Sequence, residues 1–129
     1  MSVVLDASAL LGFLQNEPGG DQVEAVLSEA VISSVNWSEV VQKSVAADVL
    51  VDGMREDLEA LGAKILPFTA EEAEIAGQLW LQTRTVGLSL GDRACLSLGM
   101  RLQAPVLTAD QVWITLKLPV TVRSIRPPI

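Results

Sequence analysis

The stretch Val3–Leu11, VVLDASALL, sets three adjacent apolar residues directly before an aspartate. A short continuous apolar run of this kind reads as a strand covered on both faces of a sheet. Outward from it the pattern recurs at Val31 to Ile32, Ile65 to Leu66, Val106 to Leu107 and Val120 to Val122. Between these runs Val23, Val26, Leu27 and Ala30 follow an i, i+3, i+4, i+7 stripe, and Ala73, Ala76, Gly77, Trp80 and Leu81 repeat it, as amphipathic helices do. Pro18 with Gly19 and Gly20, Gly62, Pro67, Gly87 and Pro105 punctuate the joins. The alternation predicts an α/β fold, with a mostly parallel sheet of about five strands between helical layers.

The chain has 129 residues, half of them apolar, which suits a single domain over 1–129. Its apolar stretches are far shorter than the ~20 residues of a membrane span, and Asp6 stands too near the start for a secretory leader, so a cytoplasmic protein is expected. The one cysteine, Cys95, lies in an apolar helical pattern and reads as packing. Sixteen acidic residues against nine basic ones give a net charge of −7, opposite to a protein that grips nucleic acid by phosphate neutralisation alone. Bound cations would supply positive charge where a phosphate must sit, leaving any further grip to Lys43, Arg84, Arg93 and Arg101.

Ligands of open α/β sheets collect beyond the carboxyl ends of the strands. Asp6 follows the first strand and Asp110, in PVLTAD, follows the fourth. Glu39, in SSVNWSEVV, falls early in the helix after the second strand, and Asp92, in LSLGDRACLSL, near the start of the helix before the fourth. All four can meet at one sheet edge. Each also has a bland reading, because acids in a first helical turn cap free amides and oppose the macrodipole. Asn36 with Glu39 and Ser89 with Asp92 fit the capping-box spacing, as does Thr69 with Glu72, where no chemistry is expected.

Two carboxylates ~4 Å apart repel by about 4 kcal/mol at an effective dielectric near 20, whereas a helix terminus returns only ~0.3–1 kcal/mol. Such a cluster takes up protons or binds a divalent ion, and oxygen donors without histidine or a cysteine pair suit Mg²⁺ or Mn²⁺ rather than zinc. The sequence holds no histidine, which removes imidazole-dependent acid–base routes. Hydrolysis by metal-activated water is the chemistry left to it.

VVLDASALL, ISSVNWSEVV, LSLGDRACLSL and PVLTADQVW, in this order and spacing, resemble the PIN-domain ribonucleases over nearly the whole chain, and among them the VapC-type toxins of toxin–antitoxin pairs. The resemblance implies a PIN-like three-layer domain and a Mg²⁺- or Mn²⁺-dependent endoribonuclease. It assigns Asp6, Glu39 and Asp92 to the core acidic triad, Asp110 to a fourth acidic position, and Ser8 and Thr108 to hydroxyls lining the site. Ser8 also reads as a helix cap, Thr108 as the end of a strand, and Asn36 as a cap. Arg93 is a candidate phosphate contact or a surface ion pair, and Trp113 reads as packing. Implied partners are an RNA substrate, a small VapB-like antitoxin lying in an apolar groove, and a second copy in a homodimer. The apolar positions around Leu10, Leu14, Val45 and Leu58 are a surplus for such a groove or ordinary core.

Two rivals remain. A receiver-type domain also gathers acids and Mg²⁺ at a parallel sheet, but places a phosphoacceptor after its third strand, where this chain has Pro67 and Phe68. A PIN scaffold would bind RNA or protein without cutting. The RNA and its cleavage point are set by pocket shape, and DNA stays open as a substrate.

Overall fold

A computed structural model describes residues 1–126; the last three residues of the expected domain 1–129 lie outside the described residues. Along the chain run β1 (Val3–Leu5), α1 (Ala7–Leu14), α2 (Gly20–Val26), β2 (Ala30–Ser33), α3 (Ser34–Ala46), α4 (Met54–Ala60), β3 (Lys64–Leu66), α5 (Ala70–Gln78), α6 (Trp80–Thr83), α7 (Leu90–Leu102), β4 (Val106–Thr108) and β5 (Val122–Ser124). Short 3₁₀ turns at Leu27–Glu29, Arg84–Val86 and Gln111–Thr115 complete the path. The five strands pair in the order β3-β2-β1-β4-β5, every pair parallel. This order differs from the 2-1-3-4-5 of receiver-type domains.

Alternation along the strands feeds two cores, one on each sheet face. Leu5, Ile32 and Leu107 pack with Leu10 and Leu11 of α1, Val23 of α2, Val40 of α3 and Leu58 of α4. Their neighbours Val4, Val31 and Val106 face the other way, against Leu79, Leu88, Cys95, Leu96, Leu98 and Trp113. The expected three layers and both packing residues, Cys95 and Trp113, are therefore present.

Local details depart from the sequence reading. Ala30 does not extend the α2 stripe but opens β2, after the 3₁₀ turn at Leu27–Glu29. The last strand begins at Val122, not Val120. On α5 and α6 the expected stripe faces outward except at Ala76: Ala73, Gly77, Trp80 and Leu81 are exposed, while Ala76 is buried together with Glu72, Leu79 and Thr83. The stripe counted apolar residues, whereas this face buries a glutamate through its Arg101 ion pair and a threonine through its bond to the Leu79 carbonyl. Leu10 and Leu58 are core, but Leu14 and Val45 are exposed.

Candidate active site

The strand order reverses between β1 and β4: after β1 the chain crosses toward β2, and after β4 it crosses the other way to β5. A crevice at the carboxyl ends of the sheet opens at such a switch point. Asp6 follows β1 there and caps α1, its carboxylate accepting the Ala9 amide at 2.8 Å. Ser8 Oγ lies 2.8 and 2.9 Å from its two oxygens, and Thr108 Oγ1, at the end of β4, donates to Oδ2 at 2.6 Å. Ser8 Oγ also accepts the Ala109 amide, and Thr108 Oγ1 the Asp110 amide, which ties the loop after β4 to the start of α1. Thr108 does finish a strand, and it also grips Asp6. Ser8, in contrast, is no cap: it stands inside the first turn of α1, with Asp6 as the cap.

Asp92 stands in the first turn of α7, where the capping box with Ser89 forms as the spacing predicts. Its Oδ2 accepts the Ser89 amide at 2.9 Å. Capping and a site role are thus compatible, since the box anchors the side chain at the helix start. Glu39 reaches the same helix end from α3. Its Oε1 accepts Asn36 Nδ2 at 2.9 Å, and Asn36 Nδ2 also donates to the Gly91 carbonyl at 2.9 Å. Asn36 is not a cap: Ser33 caps α3, and Asn36 lies buried within its first turn. The spacing of three residues serves equally for a cap and for a mid-helix bond.

Electrostatics couple these acids. Burial raises the Asp6 carboxyl from 3.8 to about 6, against three hydrogen-bond donors that lower it, and the Asp92 charge raises it further. Burial likewise lifts the Cys95 thiol well above its usual range, and the charges of Asp6, Asp92 and Glu39 add to the lift. Among the described residues no three acidic, histidine or cysteine side chains meet at direct metal-ligating spacing, and none of the ion pairs involves Asp6, Glu39 or Asp92. The donor atoms are carboxylate oxygens, the type a hard cation takes, and Asp6 is surrounded by groups that donate to its anionic form in a buried setting that penalises an unpaired charge.

The remaining candidates divide. Asp110 is exposed and turns its carboxylate to the Val112 amide at 3.0 Å, capping the 3₁₀ turn; its main-chain amide, not its carboxylate, is what ties it to Thr108. Arg93 makes no ion pair among the described residues: its Nη1 donates to the Ala76 carbonyl at 2.8 Å, joining α7 to α5. Arg101 pairs with Glu72, and Arg84 lies 5.2 Å over the Trp80 ring, while Lys43 is exposed. Gly91 was not among the expected site residues, and a glycine inside a helix carries no local signal of what rests on it.

A family model described as PIN domain matches residues 3–117. Solved structures share the fold at low identity. VapBC2 from Rickettsia felis, bound to a promoter DNA fragment, is 16% identical with a TM-score of 0.69, covering 96% of this chain and 98% of that one. A toxin–antitoxin complex from Klebsiella pneumoniae is 18% identical at a TM-score of 0.70, covering 93% and 99%. VapBC-1 from nontypeable Haemophilus influenzae is 15% identical at a TM-score of 0.71, covering 97% and 98%. No curated protein matches the sequence.

Proposed function

This chain belongs to the PIN-domain family, and from that premise we propose that it is a divalent-metal-dependent endoribonuclease, the toxin of a toxin–antitoxin pair. PIN domains are generally nucleases, so hydrolysis of a phosphodiester is the coarse reading, and Mg²⁺ or Mn²⁺ and RNA are the finer ones. The observation that carries it is the Asp6 carboxylate: buried, held by three donors, and coupled to Asp92 without a cationic partner of its own.

Asp6, Glu39 and Asp92 would hold the ion, with Asp110 acting through water or a second ion. A bound divalent ion supplies a more acidic water as nucleophile and offsets charge on the phosphate. The chain's own residues prepare for this. Ser8, Thr108 and the Ala9 amide keep Asp6 oriented and favour its charged form. The capping box fixes Asp92 and Asn36 fixes Glu39. Lys43, exposed on α3, is free to meet a phosphate backbone.

The solved toxin–antitoxin complexes support a VapB-like antitoxin as partner. Exposed apolar residues are available to it at Leu14, Val45, Val49 and Leu50. A second copy of the chain is the other partner proposed. A co-expressed small partner that fails to co-purify, with a monomer at micromolar concentration in light scattering, would sink both. For the activity, the chain is incubated with structured RNAs in Mg²⁺, Mn²⁺ or chelator beside Asp6→Asn. Cleavage is expected only with metal and only in the unaltered chain; cleavage persisting in chelator removes the metal mechanism, and an intact RNA pool under all conditions favours the scaffold.

A further inference from the structure

We propose that Gly91 and Asn36 are positioning residues that seat the Glu39 carboxylate on the first turn of α7, one residue from Asp92; as a claim about metal binding it rests on the reading above. A Cβ built on Gly91 would lie 2.6 Å from Glu39 Oε2 and 2.7 Å from both Cδ and Oε1. No real side chain tolerates such an approach, so the carboxylate occupies the space that only glycine leaves open. Asn36 closes the seat from α3, its Nδ2 bridging Glu39 Oε1 and the Gly91 carbonyl at 2.9 Å each. Asn36 is 1% exposed, and its Oδ1 is a buried acceptor with no partner among the described residues. A buried amide held at one end by a glutamate and a helix carbonyl has one orientation, and it passes that orientation to Glu39.

The clash is with the far end of a flexible side chain, so alanine at position 91 displaces Glu39 rather than the helix. Function and stability therefore part company in a way that a packing glycine would not show. Gly91→Ala, Glu39→Ala and the double variant are titrated with Mn²⁺ alone by EPR and melted in parallel. Gly91→Ala is expected to weaken Mn²⁺ binding about ten- to hundredfold, with the melting temperature level or higher, because alanine is the better helix residue. On the Glu39→Ala background it is expected to cost no further affinity. Unchanged Mn²⁺ affinity in Gly91→Ala overturns the proposal, and so does an equal loss on both backgrounds. A second readout needs no metal: the Asn36 side-chain NH₂ signals, held by two acceptors, should shift and exchange faster in Gly91→Ala, and their failure to move shows there is no seat. A wild-type chain that binds no Mn²⁺ overturns the metal reading itself, and the Asn36 signals then decide the seat alone.

Discussion

Two helix starts in this chain bury a carboxylate behind a hydroxyl, and they treat its charge differently. At α5, Thr69 caps the helix and donates to Glu72 Oε2 at 3.1 Å, while Arg101 Nε reaches the same oxygen at 2.8 Å. Glu72 is fully buried, yet its charge is answered from within the protein. At α1, Asp6 has two hydroxyls and an amide but, among the described residues, no arginine or lysine, and a like charge at Asp92 instead. Neutral donors orient an anion without cancelling it. The comparison teaches that spacing alone does not separate a structural acid from a candidate metal ligand; the presence of a built-in counter-charge does.

The largest difference between the two acids should appear when each is neutralised in turn. Asp6→Asn should lower RNA cleavage by on the order of a thousandfold, the equivalent of several kcal/mol of charge stabilisation. Glu72→Gln should leave cleavage per folded molecule unchanged. Equal losses in both would mean that Asp6 is a structural acid after all.

Proton and metal linkage comes next. The folded chain holds the Asp6 proton more tightly than the unfolded chain, with values of about 6 against 3.8. Metal-free stability should therefore fall as pH rises from about 4 to about 6, by roughly 3 kcal/mol in all, and no further above that range. Asp6→Asn should flatten this slope, and Mg²⁺ or Mn²⁺ should restore stability at neutral pH. Melting curves from pH 4 to 8, with metal and with chelator, check it; a slope that survives in Asp6→Asn assigns it to other groups.

Arg101→Met should cost about 2 kcal/mol, less than a fully buried pair, because the arginine side chain is 35% exposed. Urea unfolding measures the loss, and metal affinity should not move. The smallest expected effect concerns Cys95, fully buried in the apolar core with its thiol pushed upward. Ellman's reagent should leave it unmodified in native buffer and label it in denaturant; rapid native labelling would show that core opening.

Where a signal is local, the sequence was legible. Apolar runs ending in an acid located β1 and β4 and the residues after them, and the Ser89 box predicted the start of α7. The inward face of α5 was not legible, because its burial depends on Arg101, 29 residues away. Asn36 was misread because one spacing serves two geometries, and Gly91 went unnoticed because its function is the space it leaves. Asp110 was placed at the correct edge, but the orientation of its carboxylate follows from the 3₁₀ turn behind it.

The hydroxyl that grips Asp6 comes from a residue 102 positions later, on the strand that lies beside β1. A ribosome that has released only the first hundred residues thus carries a polypeptide whose principal acid has neither its neighbouring strand nor its threonine. Whatever chemistry Asp6 performs therefore waits on the segment that carries β4.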